Sequence, residues 1–286
     1  MSLTRDLVLI CRMVKIEHSI FALPFAYAGA FLAAGGWPGW RPMLVLTVAM
    51  VAVRSWAMAS NRLLDLPIDR RNPRTQDRPL VTGELTIRFT LGFLAGCAVV
   101  FILACALMNR LCFELSFVAL AWSAIYSLTK RFTWLCHFVL GSVLGLAPIA
   151  GWLCVDPSGH WAQWWLFAGV TLWVAGFDLL YALQDVAFDK AAGLYSLPAR
   201  FGVATALRVS ARVHVAAPAC FLLAGFAAGL GWVYLLTMLL VTGILWWEHR
   251  LISPGDLSRV NLAFFTLNGV VAVFVFAGIL VDMAVA

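Results

Sequence analysis

The stretch IRFTLGFLAGCAVVFILACALM, residues 87–108, decides the fold class. It carries a single charge, Arg88. As a helix rising about 1.5 Å per residue it is as long as a bilayer's hydrocarbon core is thick, about 30 Å. Stretches of the same kind recur on both sides. Apolar windows fall at 16–36, 43–64, 87–108, 111–129, 134–154, 161–184, 204–229, 232–249 and 260–283. Turn-forming clusters separate them, among them Gly35-Gly36-Trp37-Pro38-Gly39, Asp156-Pro157-Ser158-Gly159 and Ser253-Pro254-Gly255-Asp256. The chain therefore reads as an all-α integral membrane protein with nine transmembrane helices, and residues 1–286 as one domain.

Composition agrees. Of 286 residues, 63% are hydrophobic and 12% charged, against roughly 25% charged in a soluble domain. With a mean hydropathy of +0.92, the chain has too little polar surface to face water all round. The first apolar run is followed by others of equal strength, which argues against a secretory signal. Seven cysteines (Cys11, Cys97, Cys105, Cys112, Cys136, Cys154 and Cys220) stand singly, and five histidines lack ligand spacing. Neither a zinc nor a haem site is expected.

The charges sort by side. Of the 20 basic residues, 17 fall before the first window or in and around the loops after even-numbered ones, at the window ends included. The positive-inside rule then puts the N-terminus in the cytoplasm and the C-terminus outside. The expected location is a bacterial inner (plasma) membrane, and nucleic acid is not an expected partner.

Five of the 14 acids form two clusters at the same side's window ends. The first runs Asn61-Arg-Leu-Leu-Asp65-Leu-Pro-Ile-Asp69, and the second runs Asp178-Leu-Leu-Tyr181-Ala-Leu-Gln184-Asp185-Val-Ala-Phe-Asp189. Four- and seven-residue steps place such side chains on one helix face. Six oxygen-bearing groups (Asn61, Asp65, Asp69, Asp178, Asp185 and Asp189) gathered together would repel one another. A divalent ion relieves that, and Mg²⁺ favours a few carboxylates with phosphate oxygens and water. Both clusters are therefore expected to hold Mg²⁺ and a diphosphate. Pro67 lies inside the first and is expected to disturb the helix.

The loop Arg70-Arg71-Asn72-Pro73-Arg74-Thr75-Gln76-Asp77-Arg78-Pro79-Leu80 supplies guanidinium groups suited to phosphate. Arg74 and Arg78 are its strongest candidates, with Lys190 beside Asp189 as a parallel one. Arg54 sits seven residues before Asn61 on the same face, within a span. An arginine there faces a polar cavity, suiting an anionic acceptor, or pairs with an acid on a neighbouring helix. Intramembrane charges also occur in secondary transporters, but those gather binding groups near the midplane rather than at one interface.

These motifs resemble the UbiA superfamily of intramembrane prenyltransferases. Asn61, Asp65 and Asp69 match its N-x3-D-x3-D motif; Asp185 and Asp189 match its D-x3-D motif, preceded by Asp178 and Tyr181. Arg74-Thr75-Gln76-Asp77-Arg78-Pro79-Leu80 matches R-T-x-x-R-P-L, and Tyr126-Ser-Leu-Thr-Lys130-Arg131 matches Y-x-x-x-K-R. Arg54 matches an arginine implicated in acceptor binding. Tyr195-Ser196-Leu197-Pro198 departs from the lysine-serine-threonine run common after the second motif.

The resemblance implies helices around a central cavity with cytoplasmic cap loops. It also implies Mg²⁺-dependent transfer of a polyprenyl group from a prenyl diphosphate to a hydroxylated aromatic acid, in quinone biosynthesis. Asp65, Asp69, Asp185 and Asp189 are then the catalytic acids. Arg74, Arg78, Lys130, Lys190, Tyr126 and Tyr181 hold diphosphate, and Arg54 holds the acceptor. The acceptor is 4-hydroxybenzoate, as in the 4-hydroxybenzoate polyprenyltransferase branch, or a dihydroxynaphthoate-type acid of futalosine-route menaquinone. Haem farnesylation and prenyl cyclisation are the alternatives within the superfamily.

Overall fold

A computed structural model of the chain describes residues 9–10, 13–14, 21–252, 259–262 and 266–285. Among these residues there is no β-strand. In chain order the helices are α1 (Leu23–Ala34), α2 (Trp40–Leu64), α3 (Leu66–Asp69), α4 (Pro79–Thr82), α5 (Ile87–Met108), α6 (Arg110–Thr129) and α7 (Cys136–Val155). They continue as α8 (Trp161–Ala182), α9 (Val186–Ala191), α10 (Leu197–Phe201), α11 (Val203–Ala227), α12 (Trp232–Leu251), α13 (Val260–Leu262) and α14 (Asn268–Val285).

Seven stretches are long and apolar enough to cross a membrane: α2, α5, α6, α7, α8 run on through α9, α11 and α14. The 20-residue α12 falls outside that set. Its three tryptophans and the terminal Glu248-His249-Arg250 lower its hydropathy. Of the expected window 16–36, α1 covers the apolar part and residues 16–20 lie outside the described residues. Residues 263–265 of the window 260–283 also lie outside them.

The centre is α8. Leu166, Val170, Trp173, Val174 and Ala175 are fully buried, and α7 and α11 pack along its sides. Glycines let neighbouring backbones touch. A Cβ at Gly151 would collide with the Ala26 carbonyl of α1, and one at Gly141 with the Thr171 carbonyl of α8. Such small-residue contacts drive helix association where lipid gives no hydrophobic force. A buried polar chain ties α8, α11, α12 and α14 together. Trp173 Nε1 donates to Asn268 Oδ1 at 2.6 Å, Asn268 Nδ2 donates to Glu248 Oε1 at 2.7 Å, and His214 Nδ1 lies 3.3 Å from Glu248 Oε2.

Both acid clusters straddle a break in their helix. The helix α2 stops at Leu64, and α3 restarts with Pro67 in its first turn, where a missing N–H costs nothing. Pro67 thus disturbs the helix as its chemistry requires. The helix α8 ends at Ala182, a 3₁₀ turn spans Leu183–Asp185, and α9 follows. The second cluster is therefore not one uninterrupted helical stripe. The break turns Asp185 and Asp189 toward different partners from Asp178.

Candidate active site

The two breaks face each other across a polar cavity of about 220 Å³, lined by Asp65, Asp69, Asp185, Asp189, Lys130 and Arg78 among others. It shares Arg62, Arg74, Arg78, Tyr126, Tyr181 and Asp178 with a second, larger cavity of about 500 Å³, which reaches from the exposed Asp77 and Glu84 inward to Arg54. Its inner part adds Arg54, Met58, Phe21 and Phe177 to the wall. Arg54, Met58 and Arg62 follow at four-residue steps, so one face of α2 lines it. Asn61 and Asp65, on the adjacent face, line the acid half.

Each acid has a neighbour that the charge argument from sequence did not foresee. Asp185 receives Arg74 Nε at 2.9 Å and Asn72 Nδ2 at 3.1 Å, and Arg74 Nη1 donates to the Tyr181 hydroxyl at 3.2 Å. The Arg74 guanidinium also lies over the Tyr181 ring, 5.4 Å from its centroid. Burial opposes the Arg74 charge, but Asp185 outweighs it and the guanidinium pKa is raised above its ordinary value. Asp69 takes Arg78 Nη1 at 2.5 Å. Asp65 takes Asn61 Nδ2 at 3.0 Å, with Lys130 Nζ at 3.5 Å and Arg131 Nη2 at 3.6 Å. Asp189, buried, accepts from Ser196 Oγ at 2.5 Å. Repulsion is thus relieved by bases and hydroxyls. Among the described residues no three His, Cys, Asp or Glu side chains converge as a ready-made metal cluster.

Two expected site residues sit elsewhere in role or place. Lys190 is exposed and lines neither cavity. Consecutive helix residues point about 100° apart, so a lysine next to the inward Asp189 turns outward. Asp178 lines both cavities, but its Oδ2 lies 2.7 Å from His137 Nδ1, so the histidine rather than the acid cluster holds it. The other expected residues (Arg54, Asn61, Asp65, Asp69, Arg74, Arg78, Tyr126, Lys130, Tyr181, Asp185 and Asp189) all line one cavity or both.

Sequence reasoning missed Asn72, Ser127, His137 and Ser196. Ser127 Oγ accepts from Asn61 Nδ2 at 3.3 Å, steadying the first motif from α6.

Cationic groups crowd carboxylates at two broken helix ends, beside a chamber of mixed polar and apolar lining inside a bundle of apolar helices, an arrangement suited to an anionic ligand within a membrane protein. The chain belongs to the UbiA prenyltransferase family, which it matches over residues 22–270. It is accordingly an integral membrane prenyltransferase. The chain is 31% identical over 288 residues to the 4-hydroxybenzoate octaprenyltransferase of Nitrosospira multiformis, covering 100% of this chain and 99% of that one. It is 36% identical to a UbiA homolog from Aeropyrum pernix K1 solved in its apo form. The TM-score is 0.84, over 94% of this chain and 98% of the other. The same fold recurs, at 16% identity and a TM-score of 0.71 over 97% and 99% of the two chains, in a UbiA homolog from Archaeoglobus fulgidus bound to DMAPP and Mg²⁺.

Proposed function

We propose that this enzyme transfers a polyprenyl group from a prenyl diphosphate to 4-hydroxybenzoate or a closely related hydroxylated aromatic acid, in quinone biosynthesis. One observation carries the reading: a carboxylate-and-arginine chamber opens into a second chamber lined by Arg54. The names of its octaprenyltransferase relatives favour 4-hydroxybenzoate as acceptor. In this reading the chain is a single transmembrane domain of nine spans. Its 70–86 and 183–202 connections cap the cavity on the cytoplasmic face of a bacterial inner membrane, with the N-terminus inside and the C-terminus outside.

The residues fit a divalent cation. The four aspartates offer hard oxygens of the kind Mg²⁺ takes, and Asp65 Oδ1 is buried without a hydrogen-bond partner. Asp65, Asp69, Asp185 and Asp189 would hold Mg²⁺, with Asn61 supporting Asp65. The ion, when bound, neutralises charge developing on the departing diphosphate. The protein's own groups add to this. Arg74, Arg78 and Lys130 are already in place, and a diphosphate entering the acid half takes over their charges. Positioned charge of this sort is commonly the largest catalytic contribution.

The prenyl tail has a route. Arg54, Tyr126, Leu140 and Leu144 also line an apolar chamber of about 120 Å³, which reaches Met50, Phe101 and Leu146. A further chamber of about 120 Å³ shares those three residues' neighbourhood and ends at Leu115 and Val118 on α6. Val118 is 62% exposed, on a face that lipid would cover. A tail leaving there is limited little in length.

Arg54 tests the acceptor half. A hydrogen bond to a charged group contributes about 1.5–3 kcal/mol, so Arg54→Ala is expected to raise KM for the aromatic acid by about 10- to 100-fold. KM for prenyl diphosphate should stay within about threefold. Equal losses for both substrates would make Arg54 a structural residue and remove the acceptor assignment.

A further inference from the structure

Asp178 stands apart from every other carboxylate in the cavity. Asp65, Asp69 and Asp185 each meet an arginine or lysine, Asp189 is bonded to Ser196, and Asp77 and Glu84 are exposed at the rim. Among the described residues Asp178 has no lysine or arginine within ion-pair distance, and its ion-pair partner is His137. Its side chain, 22% exposed, opens on both halves of the cavity. It lies seven residues before Asp185, a rise of about 10 Å away from the acid level along α8. Arg54 lies eleven residues before Asp65, about 16 Å along α2. Asp178 is therefore at a depth between the diphosphate and the acceptor's carboxylate, where an aromatic ring would lie.

The histidine is held on both sides of its ring. His137 Nδ1 lies 2.7 Å from Asp178 Oδ2, and the Leu197 backbone N–H lies 3.3 Å from His137 Nε2. His137 is 4% exposed, held between α7, α8 and the start of α10. It thus fixes one oxygen of Asp178 and leaves the carboxylate facing the cavity.

We infer that Asp178 is the catalytic base of the transfer, taking the ring proton of the aromatic acceptor, with His137 as its positioning residue. The inference rests on the aromatic prenyl-transfer reading above. The prenyl C1–O bond breaks and its electron pair leaves with the diphosphate. A ring carbon's π electrons form the new bond to C1, leaving that carbon with its hydrogen still attached. The C–H pair then returns to the ring, and the proton moves to an Asp178 carboxylate oxygen. From there it passes to water at the cavity mouth as the product leaves.

The test compares wild-type protein with Asp178→Asn, which keeps the side chain's shape and its acceptor for His137 Nδ1–H. His137→Gln serves as the second variant. Geranyl diphosphate with Mg²⁺ and ring-deuterated 4-hydroxybenzoate are the probes. Turnover of Asp178→Asn is expected to fall about 100-fold or more, the size of a lost general base. Calorimetric binding of geranyl diphosphate should stay within about threefold. Deuterium should slow the variant but not the wild type, because ring-proton loss has become limiting. His137→Gln should show the same isotope effect with a smaller loss. Unchanged turnover in Asp178→Asn would overturn the inference. So would loss of geranyl diphosphate binding, or a slowed variant without an isotope effect, because Asp178 would then serve the diphosphate or the fold. A wild-type protein that prenylates no aromatic acid would instead remove the functional reading beneath it.

Discussion

Alanine at Asp65 or at Asp185 is expected to abolish Mg²⁺-dependent release of pyrophosphate, a loss of at least about 1,000-fold for each. The size follows from what each residue organises. Asp65 is 4% exposed and gathers Asn61, Lys130 and Arg131 around it. Asp185 gathers Asn72 and Arg74. Removing either takes away an oxygen donor for the cation and scatters the bases that await the diphosphate, and removing one such group alone typically costs 100- to 1,000-fold, so about 1,000-fold is the floor when both are lost. Asparagine at the same positions separates charge from shape. Asp65→Asn and Asp185→Asn should be nearly as inactive as the alanine variants while melting at wild-type temperature in detergent. Activity retained in both asparagine variants would remove these acids from the chemistry.

Arg74→Lys is expected to lower turnover about 100-fold, and Arg74→Ala about 1,000-fold, with Arg78→Lys milder than Arg74→Lys. Lysine keeps the charge but not the fork. Arg74 places Nε and Nη2 on the two oxygens of Asp185, Nη1 on the Tyr181 hydroxyl, and its plane over the Tyr181 ring. A compact ammonium cannot reproduce that set of contacts. Arg78 meets Asp69 through one nitrogen, Nη1, which an ammonium replaces more closely. Initial rates at saturating prenyl diphosphate read the effect directly. A lysine variant with wild-type turnover would show that Arg74 contributes charge alone.

Much of this was legible in the sequence, for reasons that differ by feature. The window 87–108 became α5 with the same limits, Ile87–Met108, because apolar runs in lipid end where charge and turn residues begin. The break after Asp65 was also legible, since Pro67 cannot continue a helix. The break at Asp185 was not, because neither proline nor glycine marks it. Arg74 and Arg78 could be singled out by type and spacing. Their pairing with Asp185 and Asp69 depends on how the 70–86 connection folds back across α8, which no local pattern encodes. His137 was passed over because histidine spacing looks for ligands along one helix, whereas its partner Asp178 is on the neighbouring one. The exposure of Lys190 was not legible from its place beside Asp189, because adjacency in sequence is nearly perpendicular direction on a helix.

The central claim, transfer of a prenyl group to an aromatic acid, is tested most directly by product mass. Purified protein is incubated with Mg²⁺, geranyl diphosphate and a panel containing 4-hydroxybenzoate and a dihydroxynaphthoate-type acid, with Asp65→Asn protein as control. The predicted result is an acid carrying one geranyl group in place of a ring hydrogen, with matching release of pyrophosphate, from wild type and not from the control. No prenylated acid from protein that binds geranyl diphosphate would contradict it.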